Sequence, residues 1–267
     1  YDYWFNFKSN GHRRAHANAD DTWKSNSRYY HFDERGVMVY QWFQTGYSTE
    51  SNATPSESAT NWAYFSSPED GARVTKGWFK VVPAEMLNKE KYDDDEESWY
   101  YADGSGNLYA GEFKTIKGKK YAFRNDGRMI DGLKFIRKDA DGLTVKAYDD
   151  DVYNFDTEDD FIDNAIGYYL ANDFNCYYFG GGEDGAMKTN KTNITIDGDN
   201  FNFYFEKSGS NKGAGLTGEK DDKYYLAGML VKAGSDEKYQ VVKTLDAAND
   251  TNDSNEAISG YMKLDDV

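Results

Sequence analysis

The sequence predicts an all-β, elongated solenoid of stacked β-hairpin repeats with short helical insertions, and three observations carry that prediction. The first is one unit written twice in register. Trp99-Tyr100-Tyr101-Ala102, Asp103 to Leu108 and Gly111 to Lys114 are followed by Lys120-Tyr121-Ala122-Phe123, Arg124 to Met129 and Gly132-Leu133. Gly106 and Gly127 stand 21 positions apart, as do Gly111 and Gly132, and self-similarity at a fixed period signals a repeat array. The second is a four-residue frame that recurs along the chain. The third is composition: 23 Tyr and 16 Phe sit in a chain whose mean hydropathy is −0.89. Thin stacked layers account for that pairing, because each needs a large flat side chain to cover its neighbour.

The frame appears as Trp4-Phe5-Asn6-Phe7, Tyr29-Tyr30-His31-Phe32, Trp62-Ala63-Tyr64-Phe65 and Trp99-Tyr100-Tyr101-Ala102. It continues as Lys120-Tyr121-Ala122-Phe123, Val152-Tyr153-Asn154-Phe155, Cys176-Tyr177-Tyr178-Phe179, Asn202-Phe203-Tyr204-Phe205 and Lys223-Tyr224-Tyr225-Leu226. Strand side chains alternate between faces. Positions two and four are apolar or aromatic throughout and read as the core face; positions one and three vary. An aromatic run, a Gly/Asn/Asp cluster and a second apolar run spell a β-hairpin, with Gly106 and Gly127 supplying positive φ. About nine hairpins follow from the frames.

Between the frames, Thr45 to Asn61 is Ser/Thr/Glu-rich and reads as a loop. Pro83 to Tyr92 is the best helical segment, one or two turns opening on a Pro. Asp93 to Glu97 reads as a solvated acidic loop. After Gly142 the copies spread apart, with acidic runs at Asp149 to Asp151 and Asp156 to Asp160. Phe161 to Leu170 reads as a short helix, Gly180 to Gly182 and Gly209 to Gly218 as loose hairpin turns. Asp246 to Glu256 is a loop before a last strand near Tyr261. All six Trp lie at Trp4, Trp23, Trp42, Trp62, Trp78 and Trp99. The chain therefore divides into Trp-rich hairpin repeats over 1–115 and Trp-free, more divergent repeats over 116–267, as one continuous array.

A net charge of −16 argues against nucleic acid, whose binding needs basic surface, and against anionic membranes. No apolar run reaches transmembrane length, which excludes membrane insertion by a helix. The single Cys176 excludes a disulfide framework. Tyr1 lies directly against the first frame, so the chain reads as a mature or truncated piece.

The frame, the hairpin Gly and the closing Gly-aromatic resemble the cell-wall-binding repeats of choline-binding proteins, glucan-binding domains and clostridial toxin tails. Gly111-Glu112-Phe113-Lys114-Thr115-Ile116-Lys117-Gly118-Lys119-Lys120-Tyr121-Ala122-Phe123 is the closest stretch, and Gly77-Trp78-Phe79-Lys80 keeps the closing Gly-Trp. The resemblance is specific from Asn61 to Phe135, looser from Tyr3 to Phe43 and weak after Gly142. Glu112 and Leu133 depart from it, standing where the closing Trp would be. It implies a solenoid of stacked hairpins with ligands between successive hairpins, in a secreted or cell-surface, cell-wall-associated module of a Gram-positive bacterium. The implied partners are cell-wall polysaccharide, teichoic acid or another glycan, with a fused domain outside this sequence.

Strand alternation groups the ligand candidates. Trp42 meets Trp62 and Tyr64, and Trp78 meets Trp99 and Tyr101; Trp23 with Tyr29 and His31 is a third grouping. Three aromatic faces around a gap can cage a quaternary ammonium by cation–π attraction or stack on a sugar. The bland reading is that the rings only stack one repeat on the next. Copies from Lys120 onward lack the position-one ring, so their gaps read as structural. The acidic runs match no EF-hand spacing and read as surface charge. His12 and His16 stand four apart, but Arg13 and Arg14 and the Asn/Asp stretch after them suggest a loop, so no metal site is assigned. No nucleophile elbow, phosphate loop or zinc-protease motif is present, and no cofactor is implied. Three functions stay open: a non-catalytic envelope-binding module, a structural or protein-interaction spacer with degenerate sites, and an unrecognised glycan hydrolase.

Overall fold

The structure, a computed structural model, describes residues 2–16, 21–45, 56–147, 161, 174–196, 198–233, 242–245 and 260–263. The frame at Val152 to Phe155, the acidic run at Asp156 to Asp160, the helix expected after Phe161 and the loop at Asp246 to Glu256 lie outside the described residues. The chain divides into two compact units, Tyr1–Lys114 with Ala122–Met129, and Thr115–Tyr121 with Ile130–Val267. Secondary structure is almost all β, in small antiparallel sheets.

In the first unit the strands are short and paired two by two. β1 (Trp23–Ser25) pairs with β2 (Arg28–Tyr30), β3 (Gln41–Gln44) with β4 (Trp62–Phe65), and β5 (Gly77–Val81) with β6 (Ser98–Ala102). A further hairpin pairs β7 (Glu112–Ile116) with β8 (Lys119–Phe123). The two-residue turns of the tight hairpins have positive φ at both positions, at Asn26 and Ser27 and at Lys117 and Gly118. That geometry matches the twist of the flanking strands.

These pairings correct the hairpin expected from the sequence. Gly106 and Gly127 do not turn the hairpin; they close a turn that follows it. The amide of the residue after the frame bonds to a carbonyl four residues on, as in Asp103 to Asn107 and Arg124 to Arg128, both at 2.8 Å. The Gly amide bonds back to that first residue, Gly106 to Asp103 at 3.0 Å and Gly127 to Arg124 at 2.9 Å. Gly11 and Gly36 close the same turn after Phe7 and Phe32. The hairpin itself joins each frame to the closing strand that precedes it.

A second regularity fixes how frames face. The position-three carbonyl accepts from the amide eight residues on in three copies: Asn6 from Arg14 at 2.7 Å, His31 from Val39 at 2.9 Å and Tyr101 from Tyr109 at 3.1 Å. The position-one carbonyl accepts from a later turn, Trp4 from Met38 and Trp99 from Met129, both at 2.8 Å. Main-chain groups of neighbouring strand residues point to opposite edges. Positions one and three therefore bind the following segment, and positions two and four bind the preceding closing strand.

Burial follows the frame only in part. Position four is buried in Phe32, Phe65, Ala102, Phe123, Phe179, Phe205 and Leu226, but Phe7 is exposed. Tyr121 and Phe123 are buried and Lys120 only half-buried, but Ala122 is fully buried too, against the two-faced expectation. In the later copies the phase breaks: Cys176 is buried while Tyr177 is half-buried, and Tyr225 is buried while Tyr224 is exposed.

In the second unit the described strands join wider sheets rather than isolated hairpins. β9 (Leu133–Asp139) is the centre of a three-stranded sheet between β10 (Gly142–Ala147) and β11 (Asn175–Tyr178). β12 (Asn190–Ile196), β13 (Asp199–Phe205), β14 (Gly218–Lys220), β15 (Lys223–Leu226) and β16 (Met229–Leu230) form a five-stranded sheet in the order β12-β13-β16-β15-β14. A last hairpin joins β17 (Val242–Leu245) to β18 (Gly260–Lys263), the latter containing Tyr261. Leu133, Phe135, Phe161, Cys176, Phe203, Phe205 and Met229 belong to one core. Burial pushes the Cys176 thiol well above its ordinary range, so it stays protonated.

The helical insertion is shorter than expected. α1 spans Lys89–Asp93, and Asn88 caps it by accepting the Lys91 amide at 2.9 Å. The Asn cap, not Pro83, sets the start. Asp93, placed in the acidic loop by the sequence, ends this helix and pairs with Lys89 at 2.9 Å. Among the described residues no helix is long and apolar enough to cross a membrane.

Candidate functional site

Two aromatic clusters stand in the first unit at the same register. Trp42 lies opposite Tyr64 across β3 and β4, and Trp78 lies opposite Tyr101 across β5 and β6. Ring centroids of these pairs are 5.1 Å apart at 74° and 5.0 Å apart at 80°. The position-one Trp completes each group on its edge: Trp42 to Trp62 at 6.4 Å and 82°, Trp78 to Trp99 at 6.4 Å and 88°. The structure thus brings together both groupings named from the sequence, because residues two apart on a strand share a face and the cross-strand partner lies beside them.

Rings that the sequence reading did not assign to the clusters pack against them. Phe79 stacks on Tyr64 at 5.2 Å and on Tyr100 at 5.6 Å, and Tyr100 meets Trp42 at 5.0 Å. Around Trp78 the additions are Phe123, stacked at 5.8 Å, and Tyr109, which lies parallel to Tyr101 at 5.2 Å and 9°. Tyr109 carried no signal in the sequence: the eight-residue carbonyl–amide bond that sets it after Tyr101 brings Arg14 and Val39 to the same place in the other copies.

The two clusters differ in what their polar atoms do. Trp42 donates its indole N–H to the Val82 carbonyl at 2.7 Å, and Trp62, which is buried, donates to the Ser56 carbonyl at 2.8 Å. Trp99 is half-buried, yet its indole nitrogen is shielded from solvent and has no hydrogen-bond acceptor among the described residues. Lys80 lies 6.0 Å over the Trp99 ring and Lys114 lies 4.9 Å over the Tyr109 ring. These rings already attract cations from within the chain.

Beside the clusters is an open hollow of 480 Å³ lined by Lys80, Val82, Asp95, Glu96 and Glu97. Burial, and then the charge of Glu97, raise the Tyr64 phenol above its ordinary range. The hollow sets three carboxylates beside the Lys80 ammonium.

The third grouping is not formed as expected. Trp23 lies opposite Tyr30, not Tyr29, and Arg14 covers it with its guanidinium 4.3 Å from the ring centre. His31 turns away from Trp23 into the neighbouring core, where it meets Phe43 at 4.5 Å and His16 at 5.0 Å. The two-residue turn at Asn26 and Ser27 sets that register, placing Trp23 beside position two. His12 is exposed, and His16 stands against His31 rather than His12.

No protein-family model matches the chain, and no curated protein matches it. Its structural neighbours include choline-binding proteins of Streptococcus pneumoniae. Choline-binding protein F is similar over 86% of this chain and 54% of its own, at 18% identity and a TM-score of 0.47. Its structure in the presence of a peptidoglycan analogue (a tetrasaccharide-pentapeptide) matches over the same shares at 19% identity and a TM-score of 0.45. The modular autolysin LytC of the same organism covers 86% of this chain and 37% of its own, at 18% identity and a TM-score of 0.39. The chain spans about half the length of choline-binding protein F.

Proposed function

We propose that this chain is a non-catalytic cell-wall-binding module that recognises envelope glycan or choline-like groups through its aromatic clusters. One observation carries the reading: the same three-ring arrangement occurs twice at one register, as Trp42, Trp62 and Tyr64 and as Trp78, Trp99 and Tyr101. A chain that needed only bulk between layers has no reason to set perpendicular indole edges at the same place in successive hairpins. The carboxylates at Asp95 to Glu97 support a positive group near the second cluster. Teichoic acid and cell-wall polysaccharide are the partners on this reading, at the surface of a Gram-positive cell. The hairpins of the first unit stack as a solenoid, each packing on the next through rings such as Tyr64 on Phe79.

Titration of the whole chain with choline, with tetramethylammonium and with purified wall glycan tests it by tryptophan fluorescence. Saturable change with at least one ligand, weakened in Trp99→Phe, is expected. A chain whose fluorescence answers none of them, and which does not sediment with cell walls, is a spacer. Release of reducing sugar from the glycan would instead favour a hydrolase.

A further inference from the structure

Gly77-Trp78-Phe79-Lys80 and Gly111-Glu112-Phe113-Lys114 are the same closing segment with one exchange: a carboxylate stands at Glu112 where the earlier copy has an indole. Alternate residues of a strand share a face, so Lys80 has Trp78 beside it and Lys114 has Glu112. The Lys114 ammonium lies 3.0 Å from the Glu112 carboxylate and 4.9 Å over the Tyr109 ring. Among the described residues these are its two partners. Both charged side chains are more than a third exposed, and an exposed ion pair alone holds a lysine weakly. The ring gives the ammonium a second, directional partner.

Tyr109 ties that lysine to the second cluster. It lies parallel to Tyr101 at 5.2 Å and 9°, meets Phe123 on edge at 5.7 Å and 61°, and Tyr101 in turn meets Trp78 at 5.0 Å. The row Trp78, Tyr101, Tyr109 therefore ends on an ammonium. The corresponding row of the first cluster ends on rings instead: Tyr64 stacks on Phe79 at 5.2 Å, and Phe79 stacks on Tyr100 at 5.6 Å.

We infer that Lys114 is the resident cation of the second cluster and sets its specificity: a quaternary ammonium reaches Tyr109 only by displacing this lysine from the ring. The inference rests on the proposed binding by this cluster and adds an internal competitor to it. Glu112 holds the lysine in place, and once the lysine has left it faces the incoming positive charge. A neutral sugar carries no charge for the lysine to repel, so Lys114 biases the cluster towards neutral ligands and against cationic ones. The exchange of an indole for Glu112 is what builds the device, because it puts a carboxylate rather than a ring beside Lys114.

The probe is tetramethylammonium, added to the full chain with its lysines labelled at Cε and followed by NMR. The Lys114 ε-methylene, assigned by its loss in Lys114→Met, should resonate upfield of the other lysines, since it sits in the shielding region above the Tyr109 ring. Tyr109→Leu should abolish that displacement, and Glu112→Gln should reduce it if the Leu variant does not fold. Tetramethylammonium should move the signal back as it fills the site. Lys114→Met, which keeps the apolar stem and removes the charge, should tighten tetramethylammonium binding by about two- to fivefold, the worth of one solvent-accessible cation–π contact. Its affinity for neutral wall glycan should stay unchanged. An ε-methylene at the ordinary lysine position overturns the inference, as does a Lys114→Met variant that binds tetramethylammonium no better than the parent. A chain that takes wall glycan while neither protein takes tetramethylammonium overturns it and leaves the proposed function standing. If neither protein takes any ligand, both fall.

Discussion

Tyr100 is the largest fully buried side chain of the first unit, and its hydroxyl has no hydrogen-bond partner among the described residues. Burial, with the charge of Asp126 behind it, pushes the phenol far above its ordinary range, so it stays neutral. An orphaned buried hydroxyl costs about 1–3 kcal/mol, and deleting it leaves the ring contacts with Trp42 and Phe79 in place. Tyr100→Phe should therefore stabilise the protein by about 1 kcal/mol in urea unfolding. A loss instead would mean that the hydroxyl has a partner. Trp99 also carries an orphaned, shielded donor, but on a ring that is only half-buried. Trp99→Phe should leave stability within about 1 kcal/mol and act on ligand affinity.

At the scale of the element, the closing turn and the histidine pair each make a prediction. Gly127 has φ +85 and is packed so that an added Cβ would meet the Ala59 Cβ at 2.7 Å; Gly11 has φ +82 and open space around it. Gly11→Ala isolates the left-handed backbone cost of about 1–2 kcal/mol. Gly127→Ala should add an overpacking penalty of about 1–3 kcal/mol to it, read as a larger fall in the unfolding midpoint. For the histidines, burial lowers the His16 imidazole below its ordinary 6.5, with His31 and Arg14 pushing the same way and Asp21 opposing them. The fold therefore favours neutral His16, and the unfolded chain binds the proton more readily. Its contribution is complete above pH 6.5 and is lost as pH falls from there towards the lowered folded value. Urea midpoints should drop between about pH 7 and pH 5, and His16→Gln should flatten that slope. The turn was half legible beforehand. The spacing of Gly106 and Gly127 revealed a repeated device, but periodicity cannot distinguish a turn within a hairpin from one that follows it. Nor could it show that His16 would find His31, because that contact depends on the order in which hairpins pack.

For the whole molecule, legibility ends where the hairpins stop being separate. From Asn61 to Phe123 the frame and the closing aromatic named the rings that meet, because residues two apart share a face, although Trp62 and Ala122 on that face are buried as well. Beyond Ile130 a strand such as β9 has neighbours on both edges, and Cys176, opposite Phe135, shares one core with it and with Phe203. The core there takes position one of the Cys176 frame and position three of the Tyr224 frame, so the phase read from the first unit does not carry over. This contrast locates the last prediction. Tyr178 also carries an aromatic stack, with Phe205 at 6.4 Å and 19°, but it packs against the core of the second unit. Tyr178→Ala should lower stability and leave the affinity of the folded fraction for wall glycan or choline unchanged. Trp78→Ala and Tyr101→Ala should each weaken binding by about 0.5–2 kcal/mol, the worth of a ring contact to a cation. Trp62→Ala informs less, since Trp62 is buried and tied to Ser56, so its loss moves folding first. Affinities corrected for the folded fraction at each ligand concentration make the comparison, and equal losses at Tyr178, Trp78 and Tyr101 would place binding outside the first unit.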